Sequence, residues 1–571
     1  MNRKSSFTKI PVVEDKIFFA KWFELLIPFI GTLFFIYQSV KRSFVPTTPS
    51  DPLQYIQPAL DPTNGFEFLD RTFLWLYFRL FAQLPISPEL VGPLGTLVIT
   101  SATLLLIGIW LSLRFGIVSG SIFVSVSLVN PFLVSLSTYT YPTQLMTLVI
   151  VLSLILYLEV ESFQWRSLIL GFGLALAVFT KIQALGAVIL FLTVFTIRFV
   201  KSRKSPYLLF YCLGLFLGGV SIFLTLVVLD GPTSAFKHFL RYFQGTTAKV
   251  QFDGQGGVGG FPPFYKYFSE PVYLLAILGC VLLLFLNRGK QRVFAIAAIA
   301  QMGSLLLIYL VTQRGGSLIH NYTFDFLILG VASFSIAIGG IFNDLKYLYR
   351  VTLCVSIFLI SIVYNFYSST HIEFIGQLGI GLPYSSLSWL SFISLTMFIF
   401  VGLKSKKIQS PRKRKKATIL FSKVQVYSLV GFMAIFFSVM GNLDRGYWDS
   451  TFKIYESQPY HALSKRVMTL SGNICIEVKL DRPDILDSGP RLRGVYNTFY
   501  ARNGQGLPYI NGLNSQGESM IGVCDYYVTD FPNSSFQSQM NELVDGSEVV
   551  IADSDGKFVD SVEIPLRNVG L

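Results

Sequence analysis

The chain has 571 residues, of which 52% are hydrophobic and 14% are charged. An average soluble domain carries about 25% charged residues, so this composition excludes an ordinary soluble enzyme. The formal net charge is +13, but the lysines and arginines stand between apolar stretches rather than along one helix with interleaved aromatic side chains. That distribution argues against a nucleic-acid-binding protein and indicates a protein embedded in a membrane.

Apolar stretches of about 20 residues predict membrane-spanning helices, because a helix satisfies its backbone hydrogen bonds internally. The sequence therefore predicts an all-α polytopic membrane protein with about 13 spans. The two stretches that flank Lys181 are short for full spans, so they form either two spans or a hairpin. The predicted spans cover residues 22–40, 91–113, 116–134, 142–159, 167–180, 182–198, 207–229, 271–286, 293–311, 323–342, 351–368, 386–403 and 424–441.

Basic residues mark alternate loops of the chain, as is typical of cytoplasmic loops. The largest cluster lies in residues 404–423, and the opposite loops hold no comparable cluster. With a cytoplasmic N-terminus and an odd number of spans, residues 442–571 are expected on the extracytoplasmic side of a plasma or inner membrane. The other basic loops contain Arg114, Arg166, Arg198, Lys201, Arg203, Lys204, Arg288, Lys290, Arg292, Lys346 and Arg350.

Two outer segments between the predicted spans are long enough to carry chemistry, residues 41–90 and 231–270. In the first, residues 66–83 combine apolar and charged side chains in a pattern typical of a helix that lies in the membrane interface. The second is rich in glycine and proline, a composition that disfavours regular structure. We expect it to be a mobile outer loop.

The C-terminal region reads as a separate domain. We predict a transmembrane module over residues 1–441 and an extracytoplasmic soluble domain over 442–571, with a small α/β or mostly β fold. Short alternating runs at residues 474–478, 526–528 and 549–551 predict strands. Cys475 and Cys524 are the two cysteines of this region, and in a non-cytosolic domain they are a candidate disulfide pair.

Several motifs along the apolar region follow a recognisable order. Residues 51–55 read Asp-Pro-Leu-Gln-Tyr, and residues 69–76 read Leu-Asp-Arg-Thr-Phe-Leu-Trp-Leu. A Gly-rich stretch over 171–181 ends in Thr-Lys, and Arg314 precedes a His-Asn-Tyr triplet at 320–322. With these motifs the chain resembles the GT-C superfamily of membrane glycosyltransferases, which includes the protein O-mannosyltransferases and the aminoarabinose transferase of lipid A.

The resemblance implies an inverting glycosyltransferase that takes its sugar from a polyprenyl- or dolichyl-phosphate carrier and gives it to a lipid, glycan or protein acceptor on the outer side of the membrane. Asp51 is then expected to act as the catalytic base, while the lipid phosphate and the sugar meet basic and polar side chains. Donor and membrane lipids are the expected partners, and nucleic acid is not. The residues expected to bind substrate are Asp70, Arg71, Lys181, Arg314, His320 and Tyr322.

The chain departs from this family at one position that matters for metal binding. Many members have a second acid between the third and fourth spans, whereas residues 137–144 contain no carboxylate here. We therefore favour a metal-independent mechanism over one that uses a divalent cation, and no other cofactor is indicated.

Two other kinds of protein are compatible with the same composition. A lipid-linked glycan flippase or transporter would place polar residues at mid-membrane on broken helices and would show internal repeats, and the sequence contains no clear repeat. A catalytically inactive scaffold of the same fold would have the same overall composition and the same pattern of spans. The sequence identifies neither the sugar nor the acceptor.

Overall fold

The computed structural model describes residues 18–43, 71–86, 88–202, 206–237, 271–286, 289–312, 320–342 and 347–367, with short stretches elsewhere, including the strands of the C-terminal region. The described apolar region is entirely helical. Its helices are α1 (Phe18–Ser43), α2 (Thr72–Ala82), α3 (Pro88–Phe115), α4 (Ile117–Val129), α5 (Pro131–Leu136), α6 (Pro142–Glu159), α7 (Phe163–Thr180), α8 (Leu185–Ser202), α9 (Tyr207–Asp230), α10 (Pro271–Leu286), α11 (Arg292–Thr312), α12 (His320–Phe342) and α13 (Tyr347–Tyr367).

Five helices in the described part of the chain are long and apolar enough to cross a membrane. This agrees with the composition, and the protein is an integral membrane protein. The predicted total of about 13 spans stays a prediction, because residues 386–403 lie outside the described residues and only part of 424–441 is described. The five spans are Leu90–Phe115, Pro142–Glu159, Phe163–Thr180, Ile182–Lys201 and Tyr207–Leu229.

Helix α4 is the central element of the bundle. Every one of its residues is buried, and it packs against α1, α3, α12 and α13. The sequence predicted a span over 116–134, and the structure divides this range into α4, which ends at Val129, and α5, which begins at Pro131. Proline has no backbone N–H to donate to the preceding turn, which favours the end of α4 before Pro131. Asn130 adopts an extended backbone between the two helices, and its Oδ1 accepts a hydrogen bond from the N–H of Leu133 at 3.4 Å.

Small residues allow helices α7 and α9 to approach closely. A Cβ atom built on Gly171 would lie 2.2 Å from the carbonyl oxygen of Tyr211, and one on Gly214 would lie 2.1 Å from that of Leu168. Neither position can accept a larger side chain without moving the two backbones apart. Close backbone contact through glycine is a common way to hold helices together in a membrane, where burial away from water gives little driving force.

Helix α2 corresponds to the predicted interfacial helix over 66–83, of which residues 66–70 lie outside the described residues. One face of α2 is buried through Leu74, Trp75 and Phe78, while Leu80 is exposed. The hydroxyl of Tyr77 donates a hydrogen bond to the carbonyl of Gly95 in α3 at 2.7 Å. The helix therefore packs on the bundle, against α3 and α7.

The second outer segment is described only at its start. Residues 232–237 are helical, whereas the prediction for this segment was irregular structure. The glycine-rich part falls outside the described residues, and its predicted mobility stays a prediction.

A four-stranded sheet is described in the C-terminal region, in the order β1 (Ile474–Glu477), β2 (Tyr526–Thr529), β3 (Glu548–Asp553) and β4 (Phe558–Glu563). β1 and β2 are parallel, and the other two pairs are antiparallel. The three predicted strands are confirmed, and β4 was missed. The turn between β3 and β4 is organised by Asp553, whose Oδ1 accepts hydrogen bonds from the N–H groups of Asp555 and Lys557 at 3.0 and 2.8 Å.

Candidate functional site

Lys181 lies where the chain passes from α7 to α8. Its backbone is extended, and its N–H donates to the carbonyl of Ala177 at 2.9 Å, which closes the last turn of α7. The next three residues, Ile182–Ala184, form a single 3-10 turn before α8 begins. The pair of apolar stretches around Lys181 thus forms two separate helices, each long enough to span, and the lysine occupies the junction between them.

The ammonium group of Lys181 is held inside the protein. The residue is only 6% exposed, and its Nζ donates a hydrogen bond to Thr143 Oγ1 at 2.7 Å. The same Nζ lies 4.9 Å from the ring centroid of Tyr141, within the range of a cation–π interaction. A lysine that merely extended from a helix end into the headgroup layer would leave its amine in water. The burial and the two specific contacts of Lys181 do not fit that interpretation.

Asp325 provides a negative charge close to this lysine. It lies in the second turn of α12, is completely buried, and its charge acts favourably on Lys181. Gln183 Nε2 donates to both carboxylate oxygens at 3.3 Å. When the Gln301 amide nitrogen faces the carboxylate, it donates to Asp325 Oδ2 at 3.0 Å and to the carbonyl of Gln183 at 3.3 Å. Two side-chain amides and a buried ammonium therefore compensate the desolvation of one carboxylate.

A second cation approaches the lysine from the start of α2. The positive charge of Arg71 acts unfavourably on that of Lys181, and Arg71 itself is half-buried. Helix α2 packs on α7, which ends at Lys181. The site thus combines two basic side chains with one buried carboxylate at one end of the bundle, and basic side chains of this kind can form charge-assisted hydrogen bonds with an anion such as a phosphate group.

Helix directions place this site at one end of the bundle. α7 ends there, α8 begins there, α6 begins one residue before Thr143, and α12 begins five residues before Asp325. The sequence predicts that this end is extracytoplasmic.

The structure describes only some of the predicted site residues. Lys181 and Arg71 are among them, and the charge of Arg71 acts on Lys181. Asp51, Asp70 and Arg314 lie outside the described residues, so their predicted roles stay predictions. His320 and Tyr322 are in the first turn of α12, the helix that carries Asp325, and their side chains are not described.

The predicted disulfide and the predicted independence from metal both stay predictions. Cys475 lies in β1, while Cys524 is outside the described residues. Within the described part of the chain, no group of three or more His, Cys, Asp or Glu residues could hold a metal ion. Residues 137–144, where many family members have a second acid, contain no carboxylate, and the preference for a metal-independent mechanism stays a prediction.

Sequence reasoning missed Asp325 and the glutamines around it. A signal for Asp325 was available, because it falls inside the predicted span 323–342 and an ionisable side chain within a span is by default a candidate for function. Gln183 and Gln301 gave no comparable signal, since amides are uncharged and both stand in otherwise apolar helices. Their role is apparent only from their contacts with the carboxylate.

Comparisons with known proteins gave structural matches only. No protein-family model matches the chain, and no curated protein matches it. Two solved structures of ArnT from Cupriavidus metallidurans are similar, one bound to undecaprenyl phosphate and one in the apo state. They share 13% and 12% identity with this chain, cover 95% of it and 98% of their own length, and have TM-scores of 0.42 and 0.43.

Proposed function

We propose that the protein is a glycosyltransferase that takes a sugar from a polyprenyl-phosphate carrier and transfers it to an acceptor at the extracytoplasmic face of the membrane. The observation that carries the proposal is the buried ammonium of Lys181, fixed by Thr143 and Tyr141, with the charge of Arg71 acting on it. Two neighbouring cations in a buried site favour a phosphate group as their shared ligand. The sequence motifs of the first outer loop supply the rest of the support.

In this mechanism the acceptor hydroxyl attacks the anomeric carbon of the donor sugar. The new bond forms between that carbon and the acceptor oxygen, and the bond from the carbon to the phosphate oxygen breaks. Asp51 takes the proton from the acceptor as the general base. The lipid phosphate leaves with an additional negative charge, which Lys181 and Arg71 stabilise because they are already positioned when the charge develops.

Asp325 acts in this mechanism by orienting Lys181 rather than by contacting the sugar. Its carboxylate accepts hydrogen bonds from the side-chain amide of Gln183, which stands two residues after the lysine. A lysine that is held in place before substrate arrives loses little freedom when it meets the phosphate.

The test measures binding of a defined lipid phosphate. Purified protein in detergent is titrated with undecaprenyl phosphate, and the bound fraction is followed by native mass spectrometry. Loss of a charge-assisted hydrogen bond predicts that Lys181→Met weakens binding by about tenfold or more. Lys237→Gln is the matched control, since it removes one exposed lysine at the same end of the bundle, and it should change binding less than about twofold.

Transfer itself is tested in membranes with a polyprenyl-phosphate-linked sugar donor. Asp51→Ala should abolish transfer while leaving undecaprenyl phosphate binding intact, and a titration with a chelator shows whether a metal is required. Equal lipid binding by the wild type and Lys181→Met would overturn the proposed site. Binding that depends on Lys181 without any transfer by the wild type would instead support a flippase or an inactive scaffold.

A further inference from the structure

The opposite end of the bundle carries a second group of convergent cations, here named the basic cluster: Arg166, Arg198 and Lys290. Arg166 is in the first turn of α7, Arg198 is near the end of α8, and Lys290 is in the turn between α10 and α11. Since α7 runs from this end to Lys181, the basic cluster is separated from the Lys181 site by the length of a membrane-spanning helix. It is therefore independent of the site proposed for transfer.

Arg166 is the buried member of the basic cluster. The residue is 7% exposed, and its guanidinium donates one hydrogen bond to the carbonyl of Glu161 at 2.7 Å. The guanidinium carbon also lies 6.0 Å from the ring centroid of Tyr157. Its Nε is buried and has no hydrogen-bond partner within the described part of the chain. A buried N–H without an acceptor is unfavourable, and it predicts an acceptor from outside the described part of the chain.

The other two cations converge on the same place. Arg198 interacts with the hydroxyl of Tyr157, the ring that Arg166 approaches. Lys290 is exposed, and its pKa is lowered first by partial burial and then by the positive charge of Arg166. The three side chains come from three different helix ends, so their approach is a product of the tertiary fold rather than of a basic run in the sequence.

The nearby carboxylate is already engaged. Glu159 accepts hydrogen bonds from Arg114 Nε at 2.6 Å and from Trp110 Nε1 at 2.8 Å, and it forms an ion pair with Arg114. The side chain of Glu161 is exposed. The basic cluster thus retains excess positive charge around a buried guanidinium.

The surroundings of the basic cluster are apolar and accessible. Four large apolar side chains near the basic cluster are exposed: Trp165, Phe199, Val200 and Leu209. The first three are neighbours in sequence of Arg166 and Arg198, and Leu209 lies in the first turn of α9. Of the five apolar spans in the described chain, α9 is the least buried within the protein. Apolar side chains around a group of cations suit a molecule with both acyl chains and an anionic headgroup.

We propose that the basic cluster binds the phosphate group of an anionic membrane lipid. The guanidinium of Arg166 contacts a phosphate oxygen through its buried Nε, while Arg198 and Lys290 close around the remaining oxygens. The acyl chains lie along the exposed apolar side chains of α8 and α9. Basic pockets between helices on the cytoplasmic side are a known mode of headgroup recognition, and arginine matches the geometry of phosphate particularly well.

The experiment compares retention of phosphatidylglycerol by variants that each lose one exposed lysine. The full-length protein is reconstituted in nanodiscs of phosphatidylcholine with phosphatidylglycerol, released into detergent, and examined for bound lipid by native mass spectrometry. Lys290→Gln should lower the affinity for phosphatidylglycerol by about fivefold. Lys201→Gln removes an exposed lysine at the same end but outside the basic cluster, and it should change the affinity less than about twofold.

Two further measurements identify the ligand and separate specific binding from a general effect of charge. Arg166→Gln should abolish selective retention of phosphatidylglycerol over phosphatidylcholine, and Lys290→Gln keeps the test valid if the buried variant does not fold. Competition by inorganic phosphate would identify a free phosphate as the ligand, whereas its failure to compete identifies the lipid headgroup. Equal losses in Lys290→Gln and Lys201→Gln, or no loss in either, would overturn the basic cluster as a defined site.

Discussion

Replacing Asp325 with asparagine isolates the contribution of one buried negative charge. The two side chains have nearly the same shape, so the variant leaves packing intact. It removes the charge that acts favourably on Lys181 and replaces one acceptor oxygen of the carboxylate with an amide nitrogen. That nitrogen is a donor, and it meets the donor groups of Gln183 and Gln301.

The expected cost follows from the burial of both side chains, since Lys181 is 6% exposed and Asp325 is fully buried. Removing one partner of a buried charge pair costs about 3–5 kcal/mol, because the remaining charge is left without compensation. Asparagine can still accept one hydrogen bond, so we expect Asp325→Asn to lower the free energy of unfolding by about 3 kcal/mol. Lys181→Met should cost a similar amount, and the double variant should cost less than the sum by about 1–3 kcal/mol.

Unfolding of the four proteins by denaturant in mixed micelles gives this double-mutant cycle. Glu159→Gln is a matched control, because it neutralises a carboxylate whose side chain is 30% exposed and whose partner Arg114 is 55% exposed. An exposed pair contributes at most about 1 kcal/mol, so this variant should stay close to the wild type. If Asp325→Asn falls within about 0.5 kcal/mol of the wild type, or if the two single effects simply add, the carboxylate does not support Lys181.

Two more predictions concern packing and the C-terminal sheet. Gly214→Ala should destabilise the protein by about 1–3 kcal/mol, since its Cβ would collide with the backbone of α7. Gly219→Ala in the same helix has room for the methyl group and should be neutral or slightly stabilising. Thermal unfolding of both variants measures the difference, and similar midpoints would disprove the close contact. Asp553→Ala should raise the hydrogen-exchange rates of the Asp555 and Lys557 amides by about fivefold, because each amide loses a hydrogen bond with a net contribution of about 1 kcal/mol. Unchanged exchange rates, measured by mass spectrometry, would contradict the turn geometry.

Helix positions were accessible to sequence reasoning because hydropathy is a local property. The predicted bounds 142–159 and 271–286 agree with α6 and α10 at both ends. The bilayer requires a long apolar run wherever a helix crosses it, and proline at the first turn of each of these helices marks the start. Hydropathy alone does not show the break at Asn130, because the apolar stretch is continuous through α4 and α5.

Strand prediction shows a similar division. Alternating apolar residues identified β1, β2 and β3, whose pattern is strong over a few positions. β4 was missed because its sequence Phe-Val-Asp-Ser-Val-Glu alternates weakly, and its pairing with β3 stabilises it in the folded chain. The parallel pairing of β1 with β2 also required the structure, because residues far apart in sequence form it.

The sequence alone determined that this is a membrane protein and which residues form most of its described helices. It also identified Lys181 and Arg71 as candidate substrate-binding residues. It could not reveal that Asp325, 142 positions after Gln183, lies against the same site, or that Arg166 and Lys290 converge at the other end. Hydropathy and helix termini depend on residues that are close together in the sequence. The neighbours of a buried charge are set by helices packing from distant parts of the chain, and the tertiary structure decided them here.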